Sequence, residues 1–421
     1  MSGIEPESDV QQGGGDSVTI LTQYFYPEVA ATAQLELDLA IGLQRKGWRL
    51  TVLTGQPSYR GGEKLSRHEM RRGVTIRRFF NPGMDRRRAV GRLINAATSA
   101  SLIFLHLLVR RNPGVILVDS TSPFLPVLAR MLNMFKGTRY VFLVQDVYPD
   151  IAIKLGYMSP HGLVATVWNQ VNLWVYRAAS HIIVLGPRMR DVVAEKQSST
   201  EAEGKITVIH NWADGDAIVP RRKGENWFCQ KHGLTDGLVI MYSGNMGATH
   251  DLESVVIAAK RLQDVSDIKF ILIGDGAKRD KIARMAEEMG LRNFLLLPYQ
   301  LRDVLPFSLT CGDASIVTLE PGAEGLSVPS KVYSSLAAGQ AVLAIMGETC
   351  DVVDIIEEGE CGQRISPGDV DGLVNAIRRL YDNPTLLQNT KENARICFDV
   401  NFSKTRAIDS YERVLRQATT K

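Results

Sequence analysis

The sequence predicts an α/β protein built from two doubly wound parallel sheets. A chain of 421 residues is too long for one ordinary hydrophobic core. Short apolar segments of strand length alternate with helical segments along most of the chain. This alternation starts afresh after a turn-rich stretch at residues 211–226, which therefore predicts a domain boundary. In each sheet, a ligand is expected in the crevice at the carboxyl ends of the strands.

The first series of strands opens with a buried segment at residues 18–22. A loop at 24–31 leads into an amphipathic helix that runs to about Lys46, and Gly47 ends this helix. Further strands of the first series are predicted at 50–53, 115–118, 140–144, 181–185 and 206–209. The strands of the second series are predicted at 238–242, 269–273, 294–297, 314–319 and 341–344.

The domain limits follow from these two series. We predict a disordered tail at residues 1–16, a first domain at 17–215 and a second domain at 216–385. The remaining segment, 386–421, is polar and helical in pattern. For this segment we consider an arrangement in which it packs back on the first domain.

The composition is that of a soluble globular protein, with 23% charged and 45% hydrophobic residues. The five cysteines are scattered and lack a CxxC spacing, which argues against a disulfide framework and against a zinc site. The polar, Gly-rich start of the chain lacks the pattern of a signal peptide. From these features we expect a cytoplasmic protein in a reducing compartment.

Positive charge is concentrated in one stretch of the chain. Residues 60–112 carry 13 Lys or Arg and 3 Asp or Glu, whereas the whole chain has a formal net charge of +3. Within this stretch, Arg86, Arg87 and Arg88 precede a mostly apolar run at 93–109 that is short for a bilayer span. The run is either a core helix or an apolar face that rests on an anionic membrane. No nucleic-acid-binding motif accompanies the charge, so we expect no nucleic-acid partner.

The loop between Glu320 and Ser330 has the features of an anion site. It leads from an apolar strand into a helix that opens near Ser330. The backbone N–H groups up to Val332 and the side chain of Lys331 therefore lie where a diphosphate binds most readily. Glu320 and Glu324 lie on the same loop and are suitable partners for sugar hydroxyls. An ordinary capped helix would show part of this pattern, but the combination favours a nucleotide-sugar site.

Glycosyl transfer from such a donor needs fixed hydrogen-bond donors at the departing diphosphate, where negative charge develops in the transition state. Further candidate donors lie on a glycine loop that comprises Gly244, Asn245, Met246 and Gly247. Nucleotide contacts are expected at a second glycine turn, which comprises Gly274, Asp275 and Gly276. No Asp-x-Asp pair stands out as a metal site, so we expect no metal ion and no cofactor besides the donor substrate.

Motifs in both halves resemble the family-four retaining glycosyltransferases, which have the two-domain GT-B fold. In the second half they are YSGNMGATHDLESVVIAAKRL, FILIGDGAKRDKI, LLPYQLRDVLPFSL and VPSKVYSSLAAGQAVLAI. In the first half they are ILTQYFYPEVAATAQLELDLAIGLQRKGWRLTVLT, VFLVQDVYPDIAIKLG and ITVIHNWAD. Their order extends the resemblance from Val18 to about Asp382. The pattern is most similar to that of the bacterial O-antigen, colanic-acid and N-acetyl-fucosamine transferases.

This resemblance implies two Rossmann-like domains that face an interdomain cleft. It also implies a retaining enzyme that moves a hexosyl or N-acetylaminosugar unit from a nucleotide-diphosphate sugar, with UDP as the expected nucleotide. The acceptor would be a glycan in surface polysaccharide assembly, lipid-linked or soluble. With a lipid-linked acceptor, the enzyme would be peripheral on the inner face of the cytoplasmic membrane.

The resemblance assigns roles to residues by position. The implied acceptor-side residues are Tyr26, Glu28, Thr32 and Gln34. The implied nucleotide contacts, besides the second glycine turn, are Pro298, Tyr299 and Ser334. The implied diphosphate contacts include His250 and the implied catalytic residues are Gln145, Asp146 and Lys331.

Several positions depart from the family pattern. Asn245 and His250 stand where many members carry an Arg and a Lys that hold the diphosphate. Ser334 stands where many members carry a Glu that binds the ribose, and Gln145-Asp146 replaces a common His. These departures indicate either a distinct subgroup or a loss of activity.

Three other functions share parts of the pattern. An NAD oxidoreductase would need a G-x-G-x-x-G turn after the first strand, where residues 22–26 read TQYFY, so we set it aside. A nucleotide-sugar epimerase would need acid and base side chains that the pattern does not reveal. A non-catalytic GT-B scaffold subunit stays open because of Asn245, His250 and Ser334. The pattern makes no prediction of oligomeric state.

Overall fold

The computed structural model describes residues 16–28, 31–56, 65–84, 89–110, 112–197, 204–248 and 250–420. Within these residues, two α/β sheets with parallel strand pairing confirm the predicted fold class. The predictions that concern Arg86, Arg87 and Arg88, and most of the N-terminal tail, lie outside the described residues.

The first sheet is formed by the strands β1 (Ser17–Leu21), β2 (Arg49–Gly55), β3 (His68–Arg71), β4 (Val74–Phe79), β5 (Val115–Asp119), β6 (Tyr140–Val144), β7 (His181–Val184) and β8 (Ile206–Val208). Their order in the sheet is β3-β4-β2-β1-β5-β6-β7-β8. β1 pairs in parallel with β2 on one side and with β5 on the other. Its residues are nearly all buried, which is why it reads as a continuous apolar run.

The second sheet is formed by β9 (Leu238–Ser243), β10 (Ile268–Ile273), β11 (Phe294–Leu297), β12 (Ala314–Thr318), β13 (Ala341–Ile345) and β14 (Gly362–Ile365). Their order is β11-β10-β9-β12-β13-β14. The side chains of Ile240, Phe270, Ile316 and Leu343 lie in one buried cluster with apolar residues of the flanking helices. This packing fixes where the strands end, and the loops that follow those ends carry most of the predicted site.

The helices are α1 (Ala31–Arg45), α2 (Ala89–Val109), α3 (Leu125–Lys136), α4 (Asp150–Lys154), α5 (Leu163–Ala178), α6 (Pro187–Glu195), α7 (Trp227–His232), α8 (Glu253–Arg261), α9 (Arg279–Glu288), α10 (Leu305–Leu309), α11 (Lys331–Ala337), α12 (Asp351–Glu358), α13 (Val370–Asp382), α14 (Pro384–Asn401) and α15 (Lys404–Thr420). A 3₁₀ turn spans Lys223–Glu225. The polar C-terminal segment is helical, as predicted.

Every strand predicted from the pattern is present, and its ends differ from the prediction by at most two residues. The pattern missed β3, β4 and β14. β3 and β4 form an antiparallel hairpin, so the first sheet is not wholly parallel. Charged residues such as Arg77 and Arg78 interrupt the apolar signal of β4, and β14 is a short edge strand that contains Arg364.

The chain forms two compact units, one made of Met1–Val141 with Glu412–Lys421 and the other of Phe142–Tyr411. In the first unit, Glu412 pairs with Lys46 at 2.8 Å, and the Arg139 guanidinium donates to backbone carbonyls near the end of α15. This division differs from the predicted limits at 17–215, 216–385 and 386–421, which follow the two sheets. The predicted limits stay a prediction.

Cys229 and Cys311 form a disulfide bond, so the expectation of a chain without disulfides is wrong for this pair. The two residues are separated by 82 positions, and their Cα atoms lie 5.6 Å apart. The packing of α7 against α10 brings them together, which spacing along the chain does not reveal. The remaining cysteines, Cys350, Cys361 and Cys397, are free and buried.

Among the described residues, α2 is the one helix long and apolar enough to cross a membrane. It packs on β2, β4 and α3. The face that it buries there carries Ala96, Ala100, Ile103 and Leu107. The opposite face exposes Val90, Leu93, Ile94, Leu102, Leu105, Leu108 and Val109. One face of α2 therefore packs in the hydrophobic core, and the other forms an exposed apolar surface.

Candidate functional site

Two glycine loops interlock at the carboxyl ends of β9 and β10. Gly244 has φ +139° and donates its N–H to the carbonyl oxygen of Ile273 at 2.8 Å. Gly274 has φ +150°, and a Cβ on it would lie 1.9 Å from the carbonyl oxygen of Gly244. Both the backbone angle and the close approach require glycine. The two loops, predicted as separate contacts, form one packed unit.

The interlock uses several N–H groups that the sequence predicted as diphosphate donors. Met246 is buried and donates its N–H to the carbonyl oxygen of Asp275 at 2.8 Å. Gly276 has φ +146°, and a Cβ on it would lie 2.6 Å from the carbonyl oxygen of Met246. The N–H of Gly247 points to Nδ1 of His250 at 3.2 Å. Of this loop, exposed Asn245 keeps an N–H that donates to no other group in the described chain.

Lys331 is the first residue of α11, and its side chain brings an ammonium group to the first glycine loop. Its side chain lies over Gly244, where an added Cβ would come within 2.5 Å of the lysine Cε. Its ammonium lies 5.2 Å from the ring centre of Tyr242. Burial lowers the pKa of Lys331 from 10.5 to about 8. Within the described residues this half-buried ammonium has no hydrogen bond and no ion pair, an arrangement that favours an anionic ligand.

His250 is held inside the first loop rather than pointing freely to solvent. Its Nδ1 lies 2.8 Å from the carbonyl oxygen of Asn245 and 2.9 Å from the hydroxyl of Tyr242. Its own carbonyl oxygen accepts a hydrogen bond from Nζ of Lys278 at 2.7 Å. Burial, followed by the charge of Lys331, lowers the pKa of His250 to about 4. His250 is therefore neutral at pH 7 and adds no positive charge to the site.

The start of α11 lies where the sequence predicted it. Ser330 and Lys331 donate their N–H groups to no other group in the described chain. Val332 is buried and donates its N–H to the carbonyl oxygen of Pro329 at 3.3 Å. Ser334 donates its hydroxyl to the carbonyl oxygen of Lys331 at 3.0 Å. Val332 therefore offers no free N–H to a diphosphate, contrary to the prediction, and Ser334 offers an acceptor oxygen.

The two predicted sugar-binding carboxylates differ in their surroundings. Glu320 follows β12 and is half-buried. Glu324 turns back on its own loop, and its Oε2 accepts a hydrogen bond from the N–H of Gly322 at 2.5 Å. Its Oε1 lies so close to Gly347 that an added Cβ there would be 2.3 Å away. Glu324 thus braces the loop against the chain that follows β13, in addition to any role toward a sugar.

Asp146 is brought to the same loop by backbone pairing. It forms an isolated antiparallel bridge with Ser327, and Val147 donates its N–H to the carbonyl oxygen of Leu326 at 2.8 Å. Burial raises the pKa of the Asp146 carboxyl, although a hydrogen bond with Ser327 acts in the opposite direction. A carboxyl with a raised pKa beside a ligand loop can orient a hydroxyl or exchange a proton. Gln145 precedes it, directly after β6.

Apart from Ser334 on α11, the residues predicted to contact the nucleotide lie in the segments that follow β10 and β11. Asp275 is exposed, and its side chain accepts a hydrogen bond from the N–H of Gly276 at 2.8 Å. The hydroxyl of Tyr299 lies 3.5 Å from the carbonyl oxygen of Asp275. Pro298 is exposed and Tyr299 is half-buried. The packing of the second sheet thus places these residues beside the interlocked glycine loops.

The predicted acceptor-side residues lie in the first unit. Tyr26 accepts a hydrogen bond at its carbonyl oxygen from Arg78 at 2.9 Å, and the Arg71 guanidinium lies 3.9 Å from its ring centre. Thr32 and Gln34 are half-buried on α1. The prediction for Glu28 is weakened, because this residue is only 7% exposed.

A buried carboxyl pair at the carboxyl ends of β1 and β5 was not predicted from the sequence. Thr22 donates its hydroxyl to Asp119 at 2.9 Å, and Glu36 of α1 lies against both. Burial, followed by the charge of Asp119, raises the pKa of Glu36 well above its usual range. In the sequence, Glu36 is one polar position of a predicted amphipathic helix, which does not indicate burial. The strand ends that surround it become adjacent only in the folded sheet.

The sequence contains two Asp-x-Asp pairs, which the prediction did not single out as metal sites. Asp214 of the first pair binds Lys404 at 2.8 Å. In the second pair, Asp369 caps α13 through the N–H of Gly372, and Asp371 pairs with Arg261. Among the described residues no group of three or more His, Cys, Asp or Glu side chains is placed to hold a metal ion. The absence of a metal requirement stays a prediction.

Two family models match the chain. Residues 33–212 match the glycosyl transferase 4-like domain, and residues 227–396 match the glycosyl transferases group 1 domain. These two domains, in this order, cover most of both sheets. The chain therefore belongs to the family-four GT-B glycosyltransferases, as its motifs indicated.

Bacterial relatives agree with this assignment. WbjE of Pseudomonas aeruginosa, described as a glycosyltransferase, is 27% identical over 308 residues, which cover 72% of this chain and 75% of WbjE. WcaI of Escherichia coli K12, described as a glycosyl transferase of colanic acid biosynthesis, is 26% identical over 381 residues, which cover 84% of this chain and 89% of WcaI.

Solved structures share the fold at low sequence identity. Sucrose-phosphate synthase from Thermosynechococcus elongatus has a TM-score of 0.77 and 14% identity over 96% of this chain and 98% of that structure. Anabaena Alr3699/HepE in complex with UDP-glucose has a TM-score of 0.71 and 14% identity over 95% and 99%. WaaG, a glycosyltransferase involved in lipopolysaccharide biosynthesis, has a TM-score of 0.68 and 15% identity over 93% and 99%.

Proposed function

We propose that this glycosyltransferase moves a hexosyl or N-acetylaminosugar unit from a UDP-linked sugar to a lipid-linked glycan during bacterial polysaccharide assembly. Support for the pathway comes from the descriptions of WcaI and WaaG, which name colanic acid and lipopolysaccharide biosynthesis. Support for the donor comes from HepE, a neighbour of the same fold that was crystallised with UDP-glucose.

The observation that carries this proposal is the unpaired ammonium of Lys331 beside the interlocked glycine loops. The family pattern has an Arg and a Lys on the first loop, where this chain has Asn245 and His250. His250 is neutral, so Lys331 reaches this loop as the cation that the loop itself lacks. The glycine backbone allows close approach of a ligand, and the N–H groups of Asn245 and Ser330 are free to donate.

In the proposed reaction, the bond between the anomeric carbon and the diphosphate breaks, and a bond forms between that carbon and the acceptor oxygen. The proton of the acceptor hydroxyl passes to the departing diphosphate. Lys331 and the free N–H groups stabilise the charge that develops on the departing UDP, so we propose that no metal ion is needed. Asp146 lies against the Glu320–Ser330 loop through its bridge to Ser327, and we assign it to orientation of a reacting hydroxyl. We propose retention of configuration, in keeping with the family.

We further propose that the reaction takes place at the inner face of the cytoplasmic membrane. The basic stretch at residues 60–112 and the exposed apolar face of α2 support this location. Replacing Arg86, Arg87 and Arg88 with Ser should reduce salt-sensitive binding to anionic vesicles, while UDP binding stays unchanged. Equal binding of the triple variant and the wild type would remove these three arginines from the membrane contact.

The function is tested by release of UDP from a panel of UDP-sugars in the presence of a polyprenyl-diphosphate-linked sugar acceptor. We expect release with one donor, undiminished by EDTA, and a product whose anomeric configuration, read by NMR, matches that of the donor. Loss of release with EDTA would contradict metal independence. UDP binding without release for any donor and acceptor would favour the scaffold function instead.

A further inference from the structure

A second group of cationic side chains lies in the first unit, in a pocket of about 510 Å³. We call it the basic pocket; it is lined by Thr51, Thr75, Arg77, His106, Val109 and Arg110. Thr51 and Thr75 are paired residues near the starts of β2 and β4, and the other wall is the C-terminal end of α2. The pocket thus lies toward the amino ends of the strands, whereas the predicted acceptor-side loop follows the carboxyl end of β1.

Arg77 and Arg110 lie close enough in the basic pocket to repel each other, and within the described residues neither has an acidic partner. Nη1 of Arg77 lies 2.9 Å from Nε2 of His106. Arg110 forms no ion pair within the described residues, and Glu69 of the adjoining β3 pairs with Arg78 instead. Burial and the neighbouring arginines lower the pKa of both His106 and Arg110. An anion that binds between like charges reduces the repulsion between them, so this arrangement favours an anionic ligand.

Exposed apolar side chains lie near the α2 wall of the basic pocket. Val109, one of the lining residues, is 84% exposed, and Leu105 one turn earlier is 58% exposed. Lys136 of α3 donates to the carbonyl oxygens of Leu107 and Leu108, which brings the end of α3 against the end of α2. Phe135, beside Lys136, is 64% exposed. A soluble anion would contact only the charged groups, whereas a lipid has a phosphate for the charged groups and acyl chains for the apolar side chains.

We propose that the basic pocket binds the phosphate of an anionic lipid headgroup, while Val109, Leu105 and Phe135 rest at the boundary with the acyl chains. The occupant follows from charge complementarity at the pocket and from the exposed apolar side chains near it. This inference rests on the membrane location proposed above and names the lipid group that the first unit binds there; it involves neither the donor nor the acceptor. The site positions the first unit on the membrane through a specific pocket in addition to the diffuse charge of the basic stretch.

The test measures partition of the full-length protein onto vesicles of phosphatidylcholine, with and without phosphatidylglycerol. The Arg77→Gln/Arg110→Gln variant should lose about tenfold or more of its partition onto the phosphatidylglycerol vesicles. A charge-matched control, Arg284→Gln/Arg292→Gln, removes two exposed arginines of the other unit and should behave like the wild type. Arg77→Lys/Arg110→Lys, which keeps both charges, should retain most of the binding.

Several outcomes would overturn the proposal. Equal partition of the wild type onto both vesicle types would do so without any variant. An equal loss in the Gln variant and its charge-matched control would show that only net charge matters. Binding of inorganic phosphate in the basic pocket, with vesicle binding unaffected by Arg77→Gln/Arg110→Gln, would identify a soluble anion as the occupant. Calorimetric titration of UDP, which should not change in any of these variants, separates this result from failure of the donor site.

Discussion

The Lys331 region and the basic pocket both present positive charge without an acidic partner in the described residues, but they are built in different ways. Lys331 is one ammonium over a glycine backbone whose angles and contacts permit no side chain. The basic pocket gathers two guanidinium groups and an imidazole between a sheet and a helix end with exposed apolar side chains nearby. The first arrangement selects the position of one ligand, which catalysis requires, whereas the second attracts an anion at a surface.

The comparison depends first on the glycine interlock, so Gly274→Ala should have the largest effect. Its Cβ would lie 1.9 Å from a backbone oxygen at φ +150°, and backbone cannot move aside as a side chain can. We expect a loss of more than about 3 kcal/mol in the free energy of unfolding, measured by urea denaturation.

The matched control for this change is Gly290→Ala. Gly290 also has a positive φ, +61°, but an added Cβ there meets nothing within 4 Å. Its loss should be about 1 kcal/mol, because only the backbone angle is unfavourable. Similar stability of the two variants would mean that the loops are not interlocked as described.

Lys331→Ala tests whether the ammonium group of Lys331 stabilises the departing diphosphate. We expect turnover to fall about 100-fold, since loss of one donor to a developing charge costs about 3 kcal/mol in the transition state. The midpoint of thermal unfolding should change little, because the ammonium has no partner within the described residues. Lys281→Ala, which removes an exposed lysine paired with Glu253, is the control and should keep turnover within about fivefold. Wild-type turnover in Lys331→Ala would refute the assignment.

Glu324→Ala should have a smaller effect, mainly on the donor sugar. We expect about tenfold weaker binding of the preferred UDP-sugar, with UDP alone bound as before, because a carboxylate contacts sugar hydroxyls and not the nucleotide. Titration with UDP and with the UDP-sugar separates the two. If both affinities are unchanged, the contact belongs to Glu320 or to neither carboxylate, and Glu324 only braces the loop through Gly322.

Much of this architecture was predictable because the strands of both sheets are continuous apolar runs. The hairpin of β3 and β4 was missed because charged residues, Arg71, Arg77 and Arg78 among them, interrupt its apolar signal. One of these residues, Arg77, also lines the basic pocket. The position of Lys331 at the start of α11 followed from the strand, loop and helix pattern. Its approach to Gly244 did not, because 87 positions separate the two residues and only the pairing of β9 with β12 brings their loops together.

The engaged N–H groups show a second limit of sequence reasoning. A glycine loop after a strand indicates N–H groups near a ligand, but Gly244 and Met246 give theirs to the neighbouring loop. Which N–H groups remain free depends on the register between β9 and β10, a property of the folded sheet. His250 was likewise predicted as a diphosphate contact, and its burial and its contact with Asn245 make it a neutral residue. Any contact that it makes with a phosphate would therefore not be an ionic one.

The role of Lys331 as the cation that binds the donor diphosphate is tested most directly by proton uptake on UDP binding. With a pKa of about 8, Lys331 is half protonated at pH 8, and a bound diphosphate favours its charged form. Calorimetry at pH 8 in buffers of different ionisation enthalpy should therefore show uptake of about half a proton, and UDP affinity should fall as the pH rises above 8. Lys331→Arg, which stays charged, should show neither effect. Equal proton uptake by the wild type and Lys331→Arg would contradict the assignment.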